Sequence, residues 1–186
     1  MSDAMPKRGS RELVQANLAC LAQARALVGR LSDEAYVATA PGGRGGVGAH
    51  LRHVLDHYDC FLAGVAEGRI DYDRRERDVE VERSRERALE RLALAEAGLA
   101  AVRTLEASHE LGVKLDSGES GERFESRSSL ARELQFLVSH TVHHFALVAF
   151  VLRLQGFDPG PEFGVAPSTL KHEAGQNLPE NAACAR

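Results

Sequence analysis

Apolar residues recur every three or four positions in four stretches of the chain, and this spacing is typical of helices that bury one face. The four predicted helices cover about residues 10–31, 47–67, 79–107 and 129–155. The last of them is apolar almost all round, which predicts that it is the most buried of the four. Four long helices in 186 residues, without a repeated sequence unit, predict an all-α fold of the four-helix-bundle type.

Residues that commonly start or stop helices stand at the ends of these stretches. Ser10 is the predicted N-cap of the first helix, and Ser128 or Ser129 that of the fourth. Gly68 and Gly156 are predicted to end the second and the fourth helix, because glycine readily adopts the left-handed conformation that follows a helix.

A short alternating pattern separates the third helix from the fourth. Leu111, Val113 and Leu115 alternate with polar or small residues, and Phe124 follows a turn-like segment. This pattern predicts a small β-hairpin, with an irregular loop as the alternative, and confines any strand to residues 111–127.

The helical region is predicted to form one domain over residues 10–172. Residues 1–9 and 173–186 are polar or small and show no periodicity, which predicts flexible termini. Glycines and prolines directly after the fourth helix predict an irregular lid or tail there.

Composition excludes several classes of function. The net charge is −4 and the arginines alternate with acidic residues, so we expect no nucleic-acid partner. No apolar run reaches the roughly 18 to 20 residues that a membrane span needs, and no signal peptide opens the chain. Three scattered cysteines, Cys20, Cys60 and Cys184, make no disulfide framework. We therefore expect a cytoplasmic protein without a membrane partner.

Histidines occur at helical spacing in two of the predicted helices. His140 and His144 lie one turn apart on an apolar face of the fourth helix, and the second helix carries His50, His53 and His57. Two buried imidazoles need partners for their nitrogens, and one divalent metal ion would satisfy both. The alternative is a set of core histidines bonded to carbonyl or hydroxyl groups.

Spacing alone does not choose the histidine of the second helix that would join the pair. His50 and His57 lie closer to the apolar stripe than His53, which lies at its edge. An edge position can still face a core, because a helix in a bundle has two neighbours. The metal-protease motif is absent, since Thr141 stands where that motif has its glutamate base.

Two segments resemble the DinB/YfiT-like family of bacterial four-helix-bundle metalloproteins. The second helix contains a His-x(7)-Phe-Leu pattern that begins at His53. The fourth contains His-x-x-x-His, from His140 to His144, about three turns before a Leu-x-x-x-Gly pattern. The resemblance spans residues 10–156 and supports the bundle fold.

The resemblance implies the metal ligands His53, His140 and His144, with His57 as the substitute on the second helix. Zinc is the first expectation, with nickel, iron and manganese as alternatives. The family usually has a basic residue and a glycine after the last histidine, where this chain has Phe145 and an alanine. This departure predicts a more apolar open side of the metal.

The resemblance also implies the function, because characterised relatives include S-transferases and isomerases that use low-molecular-weight thiols. A metal-dependent S-transferase or hydrolase is expected, in which the ion activates a thiol or water for attack on a small electrophile. The alternative is a non-catalytic, metal-binding or stress-associated bundle. Such bundles often pair symmetrically, so a homodimer through the outer faces of two helices is expected.

Other residues near the histidines allow two interpretations each. Cys60 is expected to be a small buried group rather than a thiolate beside the metal. Glu133 would either hold an imidazole N–H or be a carboxylate at the surface or in the cap region of the helix. The arginine-rich link at residues 72–77 would lead into the third helix, which we favour, or bind a substrate carboxylate over the metal. Asp56 is expected to be solvated.

Overall fold

The computed structural model describes residues 5–39, 45–116 and 124–176. These residues form seven helices and three strands, and the four long helices confirm the predicted all-α bundle class. The helices are α1 (Met5–Arg30), α2 (Asp33–Val37), α3 (Val47–Glu67), α4 (Val79–Arg83), α5 (Arg85–Val102), α6 (Leu130–Leu154) and α7 (Pro167–Gln176). The strands are β1 (Arg69–Asp71), β2 (Glu110–Leu115) and β3 (Phe124–Ser129).

The four long helices form a ring in which α1 and α3 each contact both α5 and α6. The apolar rows predicted from the sequence face inward, as Leu92 and Leu99 of α5 and Phe61 of α3 show by their complete burial. Burying each such side chain stabilises the fold by about 1.5–3 kcal/mol. The contact between α3 and α6 brings together the two helices that carry the histidines.

A buried polar network fixes how α3 and α6 are rotated towards each other. Tyr58 donates its hydroxyl proton to Oδ1 of Asn17 at 2.9 Å, and Thr141 donates to the hydroxyl oxygen of Tyr58 at 3.3 Å. Nδ2 of Asn17 donates to the carbonyl oxygen of Leu134 at 3.0 Å. Because these buried groups must stay paired, the network permits few relative orientations of α1, α3 and α6.

Most of the predicted helix ends are confirmed. Gly68 ends α3 with φ 71°, and Gly156 follows α6 with φ 78°. Ser129 caps α6, and its hydroxyl oxygen accepts from a backbone N–H three residues later at 3.3 Å. The cap predicted at Ser10 is wrong, because α1 already begins at Met5 and Ser10 is buried within it.

The predicted third helix, 79–107, is divided at Ser84 and ends at Val102. The carbonyl of Val81 would accept from the N–H four residues later in a continuous helix, but it accepts from the hydroxyl of Tyr36 at 2.6 Å instead. Ser84 has an extended backbone, and its side chain caps the new helix by accepting from the N–H of Arg87 at 3.1 Å.

The predicted hairpin is confirmed, since β2 and β3 pair in antiparallel fashion. The prediction that strands occur only within residues 111–127 is wrong. Strand β1, at Arg69–Asp71, lies outside this range and pairs in parallel with β2. Gly64 permits this pairing, since a Cβ there would lie 2.5 Å from the carbonyl oxygen of Arg69. Strand β1 can therefore approach α3 only because position 64 has no side chain.

The segment after α6 is more ordered in structure than predicted. Phe163 packs in parallel on Phe145 with 4.7 Å between ring centroids, and α7 replaces part of the predicted irregular tail. Helix α1 begins at Met5 and α7 ends at Gln176, so both predicted flexible termini are partly helical. The remainder of those termini, residues 1–4 and 177–186, lies outside the described residues.

Helix α6 is not buried all round, contrary to the prediction. Leu147, Phe150 and Leu154 are 38%, 62% and 58% exposed and form one stripe on its outer face. By length and composition alone α6 could cross a membrane, a property that core helices of globular bundles share. Its contacts with α1 and α3 are those of a bundle helix.

Candidate metal centre

Five histidine rings gather where α3 faces α6. The centroid of the His53 ring lies 5.0 Å from that of His140 and 4.6 Å from that of His144. The rings of His140 and His144 are 4.6 Å apart. His57 lies 4.0 Å from His140, and His50 lies 5.3 Å from His144. The helical spacing of these residues thus produces one continuous cluster of imidazoles.

Two ring nitrogens from different helices are close enough to share one ion. Nε2 of His53 and Nε2 of His140 are 3.1 Å apart. A tetrahedral metal ion bound at about 2.0–2.1 Å holds its ligand nitrogens roughly 3.3 Å apart. The observed separation is close to this value, so the pair fits two adjacent ligands of a metal.

Two histidines compete for the third ligand position. One possible ligand nitrogen from each of His53, His57 and His140 lies within 4.8 Å of the others. The ring of His144 is 4.6 Å from those of both His53 and His140. The structure brings both candidates to the site, so the predicted set of His53, His140 and His144 stays a prediction.

Hydrogen bonds determine which nitrogens carry protons before any ion binds. A guanidinium can only donate, so Nδ1 of His53 accepts from NH1 of Arg75 at 3.1 Å. Neutral His53 then has its proton on Nε2 and donates it to His140. The remaining nitrogen of His140, Nδ1, is buried and has no partner among the described residues.

The two competing histidines each have their Nδ1 in contact with another group. Nδ1 of His57 donates to the carbonyl oxygen of His53 at 2.8 Å, which leaves Nε2 with a lone pair. Nδ1 of His144 lies 3.1 Å from Nδ1 of His50. A contact at Nδ1 holds the imidazole in an orientation from which Nε2 can bind a metal ion.

Burial keeps these imidazoles neutral. Loss of water, followed by the charges of neighbouring histidines, lowers the pKa of His140 to about 2 and that of His53 to about 3. The same causes lower the pKa of His144 to about 4. The pKa values of His50 and His57 are also lowered, in both cases mainly by burial. Neutral imidazole is the form that binds metal ions.

Glu133 is buried but does not bind an imidazole. Its carboxylate accepts from the hydroxyl of Tyr72 at 2.9 Å and from that of Ser128 at 2.5 Å. Glu133 is 1% exposed, so the predicted surface position is wrong, but its place in the first turn of α6 agrees with the predicted cap-region carboxylate. It acts on the cluster through Tyr72, whose ring stacks on His57 with 5.4 Å between centroids.

Asp56 is also buried, at 4% exposure, and the prediction that it is solvated is wrong. Its carboxylate pairs with Arg52 at 2.8 Å. The spacing of four residues between these two positions is a signal for such a pair that the apolar pattern alone did not reveal.

Cys60 is half-buried rather than fully buried, so the expectation of a small buried group is met only in part. Its thiol donates to the carbonyl oxygen of Arg74 at 3.7 Å, and burial raises its pKa to about 11. It does not belong to the group of close ligand atoms found among the described residues. Cys20 is a free thiol, and Cys184 lies outside the described residues.

The open side of the cluster is charged rather than apolar. A cavity of about 620 Å³ borders His50, His53 and His144, and three arginines form much of its remaining wall. The prediction that Phe145 makes the open side of the metal more apolar is wrong. The Phe145 ring is 1% exposed and stacks on Phe163 in the core. The residue after the last histidine therefore faces away from the site.

Comparisons with known proteins relate the sequence to a known family. The family model of the DinB superfamily matches residues 18–148, which include every ring of the cluster. "FK506-binding protein 5" of Rhizopus delemar is 30% identical over 105 residues, which are 55% of this chain and 27% of that protein. The chain thus spans about a quarter of the length of this relative. No solved structure matches the chain significantly. The histidine cluster fits a metal-binding protein of the DinB superfamily.

Proposed function

The chain belongs to the DinB superfamily, and from that premise we propose that it is a metal-dependent enzyme. A divalent ion, with zinc as the first candidate, would activate a low-molecular-weight thiol or water for attack on a small electrophile. The observation that carries this proposal is the cluster of neutral imidazoles beside an open cavity. Three protein ligands with one open position are typical of catalytic rather than structural zinc sites.

We assign the ion to His53, His140 and His144. Their three rings are mutually within 5.0 Å, and both His53 and His144 border the cavity from which a substrate would enter. His57 is more deeply placed, at 5% exposure, and contacts His140 from the core side. A ligand set that reaches the cavity leaves the open coordination position accessible.

The surrounding side chains protect the deep side of the centre. Phe136 stacks on His140 with 5.6 Å between ring centroids, and Tyr72 stacks on His57 at 5.4 Å. These rings pack against the two imidazoles on that side, and the approach that we propose for small molecules is the cavity that borders His53 and His144. A bound divalent ion supplies one chemical effect there, since it lowers the pKa of a coordinated thiol or water towards neutrality.

The test is thiol transfer to a fluorogenic alkyl chloride, monochlorobimane. The thiol sulfur forms a bond to carbon, the carbon–chlorine bond breaks, chloride leaves and the thiol proton passes to solvent. Zinc-loaded protein should accelerate the reaction of at least one thiol in a panel by more than about tenfold over metal-free protein. His140→Ala should lose the acceleration. His172→Ala is the control, because His172 is exposed on α7, where its ring bonds to Gln176, and it does not belong to the histidine cluster.

The non-catalytic alternative predicts a different result from the same protein. Stoichiometric zinc that raises the melting temperature, without acceleration for any thiol or for ester hydrolysis, would leave a metal-binding bundle in place of an enzyme. The two functions are thus separated by rate measurements on protein of known metal content.

The partners form a further part of the proposal. A homodimer would bury the exposed apolar stripe of α6, in which Phe150 is 62% exposed. Phe150→Glu should convert a dimer into a monomer in sedimentation experiments, and an unchanged mass would contradict this interface. We also propose a cytoplasmic protein without nucleic-acid or membrane partners, in line with its net charge of −4.

A further inference from the structure

We propose that the cavity over the histidines binds a thiol that carries a carboxylate, and that Arg75 binds this carboxylate as the specificity-determining residue. The inference rests on the proposed thiol chemistry and names the class of thiol that the site selects. It reverses the preference drawn from the sequence, in which the arginine-rich link only led into the next helix.

The first observation is the position of Arg75 on the wall of the cavity. Residues 72–78 connect β1 to α4 and pass over the cluster, where NH1 of Arg75 lies 3.1 Å from Nδ1 of His53. A group bound beside His53 is therefore within reach of the Arg75 side chain.

The second observation is that Arg75 has unused donors. Its Nε is buried and has no hydrogen-bond partner among the described residues. No carboxylate of the described residues forms an ion pair with it. Arg52, on the same wall, differs because Asp56 and Glu82 bind it at 2.8 and 2.5 Å. Arg75 therefore combines a place beside the histidines with a buried donor that remains for a ligand, and its planar fork suits a carboxylate.

The third observation is the conformation of the link itself. Arg77 borders the same cavity and has a left-handed backbone with φ 54°, which side chains other than glycine rarely adopt. This strained residue directs the link past the cavity and places a second guanidinium there. Strained backbone of this kind is common at ligand sites.

The balance of charge points to an anion. The cavity wall has three arginines, and the carboxylates of Asp56 and Glu82 offset two of them, which leaves one positive charge. The imidazoles are neutral, so they offset none of the two positive charges that a divalent ion adds. A thiolate and a carboxylate on one molecule would neutralise most of this excess.

The contact between Arg75 and His53 is compatible only with the metal-free state. It requires Nδ1 of His53 to be unprotonated, whereas a neutral His53 that binds an ion through Nε2 must have its proton on Nδ1. Metal binding would therefore release Arg75 from His53. The released guanidinium is then free for the carboxylate of the incoming thiol.

The experiment compares two thiols of similar size, 3-mercaptopropionate and 3-mercaptopropan-1-ol, by calorimetric titration of the zinc-loaded protein. The native chain should bind the acid at least about tenfold more tightly than the alcohol. Arg75→Gln should weaken binding of the acid by about tenfold or more and change binding of the alcohol by less than about twofold. Arg74→Gln is the matched control, because this exposed neighbour does not border the cavity.

A second readout does not depend on thiol binding. Zinc affinity, measured by competition with a chromophoric chelator, should rise about three- to tenfold in Arg75→Gln, because a competing donor and a positive charge are removed. Weaker binding of the acid together with tighter binding of zinc excludes a general disruption of the fold, which would weaken both.

The outcomes separate this inference from the proposed function. Equal affinity for the two thiols in the native, zinc-loaded chain would overturn the carboxylate site and leave thiol activation intact. If zinc is stoichiometric and neither thiol binds, the thiol chemistry fails, and propionate then tests the anion site by itself. Propionate that binds the native chain and not Arg75→Gln would support the site, and equal binding to both would refute it.

Discussion

The third metal ligand can be identified with two alanine variants that each remove one imidazole from the same cluster. His144→Ala removes the ring that borders the cavity, and His57→Ala removes the ring on the core side. Both rings lie beside His140, at 4.6 and 4.0 Å between centroids, so the two variants perturb the same neighbour. A difference in zinc affinity therefore reports which ring binds the ion.

The two variants should lose zinc affinity by clearly different factors. Structural zinc sites with four ligands bind with about 10–16 kcal/mol, so one ligand is worth about 2.5–4 kcal/mol, or roughly 100- to 1,000-fold in affinity. His144→Ala should show a loss of this size. Removing a ring that contacts the ligands without binding the ion should lower the zinc affinity by about tenfold. This is the smallest effect that is typical of residues that orient metal ligands. His57→Ala should stay near this value.

Two assays report the difference. Metal content after dialysis and competition with a chelator give stoichiometry and affinity. Thermal unfolding gives an independent value, because an ion at 100 times its dissociation constant stabilises the native state by about 2.7 kcal/mol. For a chain of this size that corresponds to about 5–10 °C. The zinc-dependent rise in melting temperature should persist in His57→Ala and His172→Ala and vanish in His144→Ala.

The reverse result would refute the assignment. Loss of zinc in His57→Ala with retention in His144→Ala would show that the ion is bound by the deeper group of His53, His57 and His140. Retention of stoichiometric zinc by His140→Ala would go further. It would mean that the cluster consists of core histidines and that any metal is bound elsewhere.

The remaining predictions concern stability. The pKa values of the three proposed ligands are lower in the folded protein than in the unfolded chain. As the pH falls, the unfolded chain therefore binds protons before the folded protein does, and metal-free protein should lose stability below about pH 6.5. Each group loses about 1 kcal/mol between pH 6.5 and 5.5, so three groups, after halving for partial exposure, should cost about 1.5 kcal/mol in urea unfolding. A stability that is constant over this range would contradict the neutral cluster. Tyr58→Phe should cost about 1–3 kcal/mol, because Asn17 and Thr141 lose a buried partner, and a smaller change would mean that water replaces the hydroxyl. Gly64→Ala should cost about 1–3 kcal/mol, because its Cβ meets the backbone of β1, whereas Gly29→Ala in the last turn of α1, where a Cβ would meet no atom within 4 Å, should change the stability by less than about 0.5 kcal/mol. Equal effects of the two alanines in denaturant titrations would refute the steric argument.

The sequence predicted those features of the fold that depend on neighbours along the chain. Helical periodicity identified the four long helices, and Gly68 and Gly156 marked two of their ends correctly. The break at Ser84 could not be predicted, because it depends on a hydroxyl from Tyr36 that is 45 residues away from its acceptor. Strand β1 was missed for a similar reason. Its pairing with β2 requires the absence of a side chain at Gly64, which no local pattern reveals.

The same distinction applies to the site. The spacing of His140 and His144 within one helix was enough to place two imidazoles side by side. The rotation of α3 about its axis decides which of its histidines meets them, and the Tyr58 network that fixes this rotation joins three helices. The approach of Arg75 depends on the course of a link that has no periodicity at all. Sequence patterns therefore predicted which side chains form the centre, but they did not predict which other side chains surround it.

The surplus of histidines has a consequence for the charge of the centre. Metal-binding imidazoles usually donate their second N–H to a carboxylate or a carbonyl. Here His144 contacts His50 instead, and the two buried carboxylates nearby, Asp56 and Glu133, pair with Arg52 and Tyr72 rather than with an imidazole. A centre whose imidazoles have no carboxylate partner has no negative charge of its own to offset a divalent ion. The excess positive charge is then left for the substrate to neutralise, which favours anionic molecules over neutral ones of the same shape.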